Sequence, residues 1–160
     1  LLALEAKNEP FHHIHGAGKA GYPGFLRTLS EKDVDLDAHP ALQVREYIYD
    51  MALVMRAADL VVSRAGASTL SELTALGVPA VLVPSPNVTN DHQTKNARAL
   101  EEAGAAVLLP EKDASPQALF QVCGGILHDP ARQAEMAKNM AALGVPDAAE
   151  RILDTVRALL

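Results

Sequence analysis

Apolar positions along this chain follow two alternating patterns. Short runs rich in β-branched or aliphatic residues, Phe11–His15, Gln43–Tyr47, Leu60–Ser63, Ala80–Val83 and Ala106–Leu109, read as strands of the kind covered on both faces. Between them, apolar residues recur at helical spacing over Gly24–Glu31, Met51–Ala57, Ser68–Leu76, His92–Ala103, Pro116–His128, Pro130–Leu143 and Ala148–Leu160. This alternation predicts an α/β fold, a parallel sheet with helices on both faces. Asp50, Asp91, Ser115 and Asp147 stand where N-caps are expected, and Gly77, Gly104 and Gly144 follow last helical turns, where a left-handed residue is wanted. Pro79, Pro84 and Pro86 bracket the fourth strand, so Pro84–Asn90 is expected to be a loop at its C-terminal end. Ligands bind at that edge of open α/β sheets. Leu1, Leu4 and Glu5 read as the last turns of a helix already under way, so the chain is expected to begin in mid-protein.

Composition narrows the function classes. With 160 residues, 49% apolar and 21% charged, the chain fits one soluble domain with a real core. A single cysteine, Cys123, excludes an internal disulfide framework and favours a reducing, cytoplasmic setting. A net charge of −6 without a basic cluster, and only three tyrosines and three phenylalanines, argue against nucleic acid. No apolar run approaches the ~18 residues of a membrane span, and the opening residues lack the basic region of a signal peptide.

The stretch Asp59–Ala106 carries the chemistry. The turn Arg64-Ala65-Gly66-Ala67-Ser68-Thr69 lets a ligand approach the backbone, and the helix after it aims free N–H groups and a positive dipole end at the same place, which suits a diphosphate. Glu72 has two readings: the acidic member of a capping box with Thr69, or a carboxylate placed to accept both hydroxyls of a ribose. In Asn90-Asp91-His92-Gln93-Thr94-Lys95-Asn96, Gln93 and Asn96 share a helical face, and their amides are either sugar ligands or an ordinary polar first turn.

These segments, with Glu46-Tyr47-Ile48-Tyr49-Asp50-Met51, occur in the order and spacing of the MurG family, and the chain resembles the donor-binding domain of those bacterial cell-wall N-acetylglucosaminyltransferases over essentially its whole length. The resemblance implies a Rossmann-like domain, the C-terminal half of the GT-B fold. It implies that Ile48 contacts uracil through its backbone, that Ala67, Ser68 and Thr69 line the diphosphate, that Glu72 binds the ribose, and that Gln93 and Asn96 bind the hydroxyls of N-acetylglucosamine. It further implies transfer from UDP-N-acetylglucosamine to an undecaprenyl-diphosphate-linked muramoyl-pentapeptide at the inner face of the plasma membrane, with no metal and no cofactor. Ser68 stands where some members carry a bulkier aliphatic residue, and His92 where others carry Gln.

The family's first strand and Gly-rich phosphate loop do not precede Leu1, and the acceptor domain is not in the sequence given. The reading is therefore a donor-binding domain over 1–160, truncated at its N-terminus, with no catalytic base of its own and inactive alone. Unpaired edges in the middle of the sheet are expected, and with them a strand supplied by another copy, a rearranged sheet, or a proteolytic fragment. The rival readings are another GT-B enzyme, such as a glycolipid galactosyltransferase or a UDP-N-acetylglucosamine epimerase, and a non-catalytic UDP-sugar-binding subunit completed by a second chain.

Other constellations carry less. His12, His13 and His15 lack a carboxylate or thiolate at metal-binding spacing. Asp33-Val34-Asp35-Leu36-Asp37 reads as a solvated acidic loop, Gly16–Gly21 as a tight turn rather than a phosphate loop, and Cys123 as a small buried residue. Ile152, Val156, Leu159 and Leu160 line one side of the last helix, an apolar face for core packing or for contact with another domain.

Overall fold

The computed structural model describes residues 1–8 and 11–159, the Asn8 side chain excepted. Its elements are α1 Leu2–Asn8, β1 His13–Gly16, α2 Tyr22–Glu31, β2 Leu42–Arg45, α3 Met51–Ala57, β3 Val61–Ser63, α4 Ala67–Leu76, β4 Ala80–Leu82, α5 His92–Glu102, β5 Ala106–Leu108, α6 Pro116–Leu127, α7 Pro130–Ala142 and α8 Ala148–Ala158. Every expected strand and helix is present, with small shifts at the ends; Leu160, the expected end of the last helix, lies outside the described residues. One of the two-residue shifts has a local cause. α2 begins at Tyr22 because Pro23 falls in its first turn, where a fixed φ and a missing N–H cost nothing.

All strand pairs are parallel, and they form two sheets, β1-β2 and β3-β4-β5. Among the described residues β1, β2, β3 and β5 each pair on one side only, and β4 is paired on both. The chain clusters into two compact units, Leu1–Met51 with Ser115–Val122, and Ala52–Ala114 with Cys123–Leu160.

In the first unit, Leu2, Leu29, Val34 and Leu42 are buried together, with Ala3, Ala6, Phe25, Leu36 and Val44 packed against them. The single buried charged residue among those described, Glu5, faces His13 Nδ1 at 2.7 Å, which satisfies a carboxylate that would otherwise be costly to bury. His15 stacks on Phe25 with ring centroids 4.3 Å apart. Gly18, at φ 73°, makes Gly16–Gly21 the expected tight turn, closed by the Tyr22 N–H donating to its carbonyl. The acidic loop is exposed at Asp33, Asp35 and Asp37, and the Asp35 carboxylate accepts from the Asp37 N–H.

The second unit holds the larger core. Ala80 and Leu82 of β4 point into a cluster with Met55, Ala65, Leu70, Leu73, Leu100 and Met140, while Val81 is fully buried on the opposite face. A strand buried on both faces reads as a continuous apolar run, which is what Ala80-Val81-Leu82 is. Cys123 is buried in α6, as expected.

The caps differ in part from expectation. Gly77 ends α4 in the left-handed region at φ 68°, and Gly104 follows α5 at φ 69°. Gly144 does not adopt a positive φ; it is small because a Cβ there would meet the Thr74 carbonyl at 2.8 Å. Ser115 caps α6 by accepting from the Ala118 N–H at 3.1 Å. Asp50, Asp91 and Asp147 do not cap. Their carboxylates are taken by Arg45, Thr94 and Arg151 respectively. α7 is capped by Asp129, whose carboxylate accepts from the Arg132 N–H at 3.0 Å ahead of Pro130. In α8 no described residue is buried: Ile152 is 66% and Leu159 81% exposed, so its apolar face does not enter a core.

Candidate functional site

β3 runs out at Ser63, and the chain turns through Arg64-Ala65-Gly66 into α4. Gly66 is the residue before the helix, in extended conformation at φ −71° and ψ 146°, and no side chain caps the helix. The first helical bond is Leu70 N–H to Gly66 C=O at 3.0 Å, so the amides of Ala67, Ser68 and Thr69 point out of the helix with no described partner. Ala67 and Ser68 are exposed and Thr69 is half-buried. A Cβ built on Gly66 would meet nothing within 4 Å, so the space in front of the turn is open. Free amides, open space and the positive end of a ten-residue helix together suit an anionic group.

The start of α4 at Ala67 overturns the capping-box reading of Glu72. A capping box needs Thr69 as the residue before the helix, but Thr69 lies inside it. Glu72, one turn further in, is exposed and has no described hydrogen bond or ion pair. Its carboxylate is available to a ligand.

The loop after β4 forms the other side. Asn90 and Asp91 are both left-handed, at φ 55° and 51°, a conformation that short polar side chains tolerate best. They turn the chain sharply into α5. From that helix Gln93 Oε1 accepts from the Ser85 N–H at 2.9 Å, and Asn96 Nδ2 donates to the Ala65 carbonyl at 3.2 Å. A backbone N–H can be met only by the amide oxygen and a carbonyl only by the amide nitrogen, so both orientations are fixed. Gln93 is left with its Nε2 donors and Asn96 with its Oδ1 acceptor. Asn96 thereby ties α5 to the turn before α4.

Arg64, whose role no local sequence pattern signals, is the cross-link of this edge. Its Nη1 donates to the carbonyls of Val83 and Pro84, each at 3.2 Å, and its Nη2 to Glu111 at 2.9 Å. The hydrogen bond from Arg64 holds the Glu111 carboxyl below its usual range, and the same bond raises Arg64. Beyond the loop lies an open groove of about 610 Å³ walled by Pro84, Pro86, Leu108 and Pro110 and rimmed by Asp91 and Glu111. A hollow of about 550 Å³ in the first unit, along Leu26, Leu29 and Asp33–Asp37, contains none of the motif residues.

Of the sequence-predicted site residues, Ala67, Ser68, Thr69, Glu72, Gln93 and Asn96 all belong to the second unit, on α4 and α5. Ile48 belongs to the first unit, with its side chain buried and its Cδ1 3.4 Å from where a Cβ on Gly16 would stand. No group of three or more His, Cys, Asp or Glu able to hold a metal occurs among the described residues.

The family described as glycosyltransferase family 28 C-terminal domain matches residues 2–152. The UDP-N-acetylglucosamine–N-acetylmuramyl-(pentapeptide) pyrophosphoryl-undecaprenol N-acetylglucosamine transferase of Acetivibrio thermocellus is 44% identical over 160 residues, which is 100% of this chain and 42% of that protein. The enzyme of the same name from Salinibacter ruber is 57% identical over 125 residues, 78% of this chain and 34% of that protein. The crystal structure of MurG from Acinetobacter baumannii superposes with a TM-score of 0.82 at 31% identity, over 98% of this chain and 46% of that one. The chain thus spans less than half the length of the proteins it matches.

Proposed function

The chain belongs to the glycosyltransferase family 28 C-terminal domain family, and on that premise we propose that it is the donor-binding half of an inverting N-acetylglucosaminyltransferase that uses UDP-N-acetylglucosamine. The diphosphate lies against the free amides of Ala67, Ser68 and Thr69, Glu72 accepts the ribose hydroxyls, and Gln93 and Asn96 meet the hexosamine. Ile48 offers its backbone to the uracil. The observation that carries this reading is the uncapped start of α4: three amides facing open space, with a carboxylate one turn behind them, none of which has a partner among the described residues.

The chemistry follows from that arrangement. Attack of an acceptor hydroxyl on the anomeric carbon breaks the bond to the diphosphate, and negative charge grows on the departing UDP. Fixed amides at a helix N-terminus stabilise that charge as it develops, without a metal. The acceptor is a lipid-linked muramoyl-pentapeptide, and the general base lies outside this chain. Among the described residues no helix is long and apolar enough to cross a membrane; in this reading the full-length enzyme works peripherally at the cytoplasmic face.

The test is transfer by the full-length protein that carries this chain, supplied with the lipid-linked acceptor and either UDP-N-acetylglucosamine or UDP-galactose. Disaccharide formation from the first donor alone is expected. Preference for UDP-galactose, or donor epimerisation without transfer, contradicts the reading.

A further inference from the structure

We propose that Arg64 is a positioning residue for donor-sugar recognition: it holds the loop after β4 in the one conformation that presents Gln93 to the sugar. The inference rests on the reading of Gln93 given above. Its physical content is a chain of hydrogen bonds. The Arg64 guanidinium reaches the carbonyls of Val83 and Pro84 with one nitrogen and Glu111 with the other. The next residue along, Ser85, donates its N–H to Gln93 Oε1. That bond fixes the Gln93 amide and leaves its Nε2 free as a donor.

The arrangement needs arginine. Pro84 has no N–H and is buried, so the loop has little backbone bonding of its own at this point. A planar fork bonds two adjacent carbonyls and a carboxylate at once, and a lysine ammonium on a single flexible stem does not reproduce that geometry. Glu111 fixes the far side of the fork, and the mutual displacement of the two pKa values agrees with a formed pair. The partners come from positions 19, 20 and 47 residues away in sequence. Arg64 therefore ties the ends of β3, β4 and β5 at the edge where the donor is expected.

The consequence is specific to the sugar. Glu72 and the α4 amides make no described bond to the Arg64 side chain. UDP alone should therefore bind Arg64→Lys within about twofold of wild type, while UDP-N-acetylglucosamine loses roughly tenfold, the scale of a misplaced hydrogen bond. Glu111→Gln removes the charge but leaves the carbonyl bonds, and should show a smaller loss, about threefold, in the same direction.

The experiment measures Kd for UDP and UDP-N-acetylglucosamine by calorimetry on the full-length protein, for wild type, Arg64→Lys, Glu111→Gln, Gln93→Ala and the Arg64→Lys/Gln93→Ala double variant, each with a thermal melt. Expected is a sugar-specific loss in Arg64→Lys that disappears in the Gln93→Ala background, the non-additivity of residues acting through one another. If Gln93→Ala weakens the sugar nucleotide but Arg64→Lys does not, or if the two losses add, the positioning role is wrong. If Gln93→Ala has no effect, the reading of Gln93 fails first and the inference with it. Should Arg64→Lys melt too low to measure, the exposed Glu111→Gln variant decides by the same comparison.

Discussion

Replacing Gly66 by alanine separates a ligand-facing role from a structural one. At φ −71° and ψ 146° alanine fits without strain, and a Cβ meets no protein atom within 4 Å. Two opposing terms then set the stability. Restricting the unfolded chain contributes ~0.4–1 kcal/mol, and alanine is poorer than glycine in the position before a helix by about half a kcal/mol. The net change is within about 0.5 kcal/mol, and the melting temperature moves by about 2 °C at most. Ligand binding carries the real cost. A methyl group in the space before the Ala67–Thr69 amides keeps a phosphate from hydrogen-bond distance, and losing one charge-assisted bond, ~1.5–3 kcal/mol, weakens UDP by roughly ten- to a hundredfold. Calorimetry with UDP and a thermal melt on the same preparation give both numbers. Wild-type affinity in Gly66→Ala refutes this approach route for the diphosphate, and a melt lowered by more than about 5 °C refutes the open-space description.

Three further outcomes test the fold and its electrostatics. Leu73, fully buried beside Leu70, Ala80 and Met140, should cost about 2–5 kcal/mol on change to alanine, read from chemical denaturation; a loss below 1 kcal/mol contradicts its place in the core. Asp129→Ala should cost about 1 kcal/mol through its helix cap, and Asp147→Ala, whose carboxylate meets only a surface arginine, much less; equal losses contradict the cap assignment. His15 titrates below its ordinary 6.5, first because burial penalises its charged form and next because His13 is nearby, with Glu5 acting in the opposite sense. The unfolded chain then binds more protons than the folded one as pH falls below 6.5, so stability contributed by neutral His15 is present above that pH and is lost toward the folded value. An NMR titration midpoint at or above 6.5 contradicts this.

β3, β4 and β5 were legible because each is an apolar run closed by proline, glycine or a polar turn, and Ala80-Val81-Leu82 between Pro79 and Pro84 is the clearest case. The candidate site was legible as residue types at helix starts, and α4 and α5 begin within one residue of expectation. What could not be read is what those side chains do inside the fold. Asp91 and Asp147 have the chemistry of caps, but Thr94 and Arg151 take their carboxylates. Asp129 before Pro130 carries a cap signal that the four expected caps do not include, and it is the residue that caps α7. Gly144 follows a last helical turn, the usual place of a left-handed residue, whereas its smallness answers to Thr74, seventy residues away in sequence. Gln93 and Asn96 looked free in sequence, yet each spends half its amide on the backbone of a distant segment. The Arg64 cross-link joins three strand ends, and a linear pattern does not contain it. The apolar stripe of α8 predicts amphipathicity but not its partner, and the described residues leave it exposed.

The start of α4 and Glu72 together are proposed to bind a nucleoside diphosphate. Titration of UDP into the full-length protein and its Glu72→Gln variant, with melts of both, tests it most directly. Because Glu72 is exposed and has no described partner, the melt should move by about 1 °C or less, while loss of the charged acceptor for the ribose hydroxyls raises Kd roughly tenfold. A lowered melt with unchanged UDP affinity would contradict the claim and make Glu72 a structural residue after all.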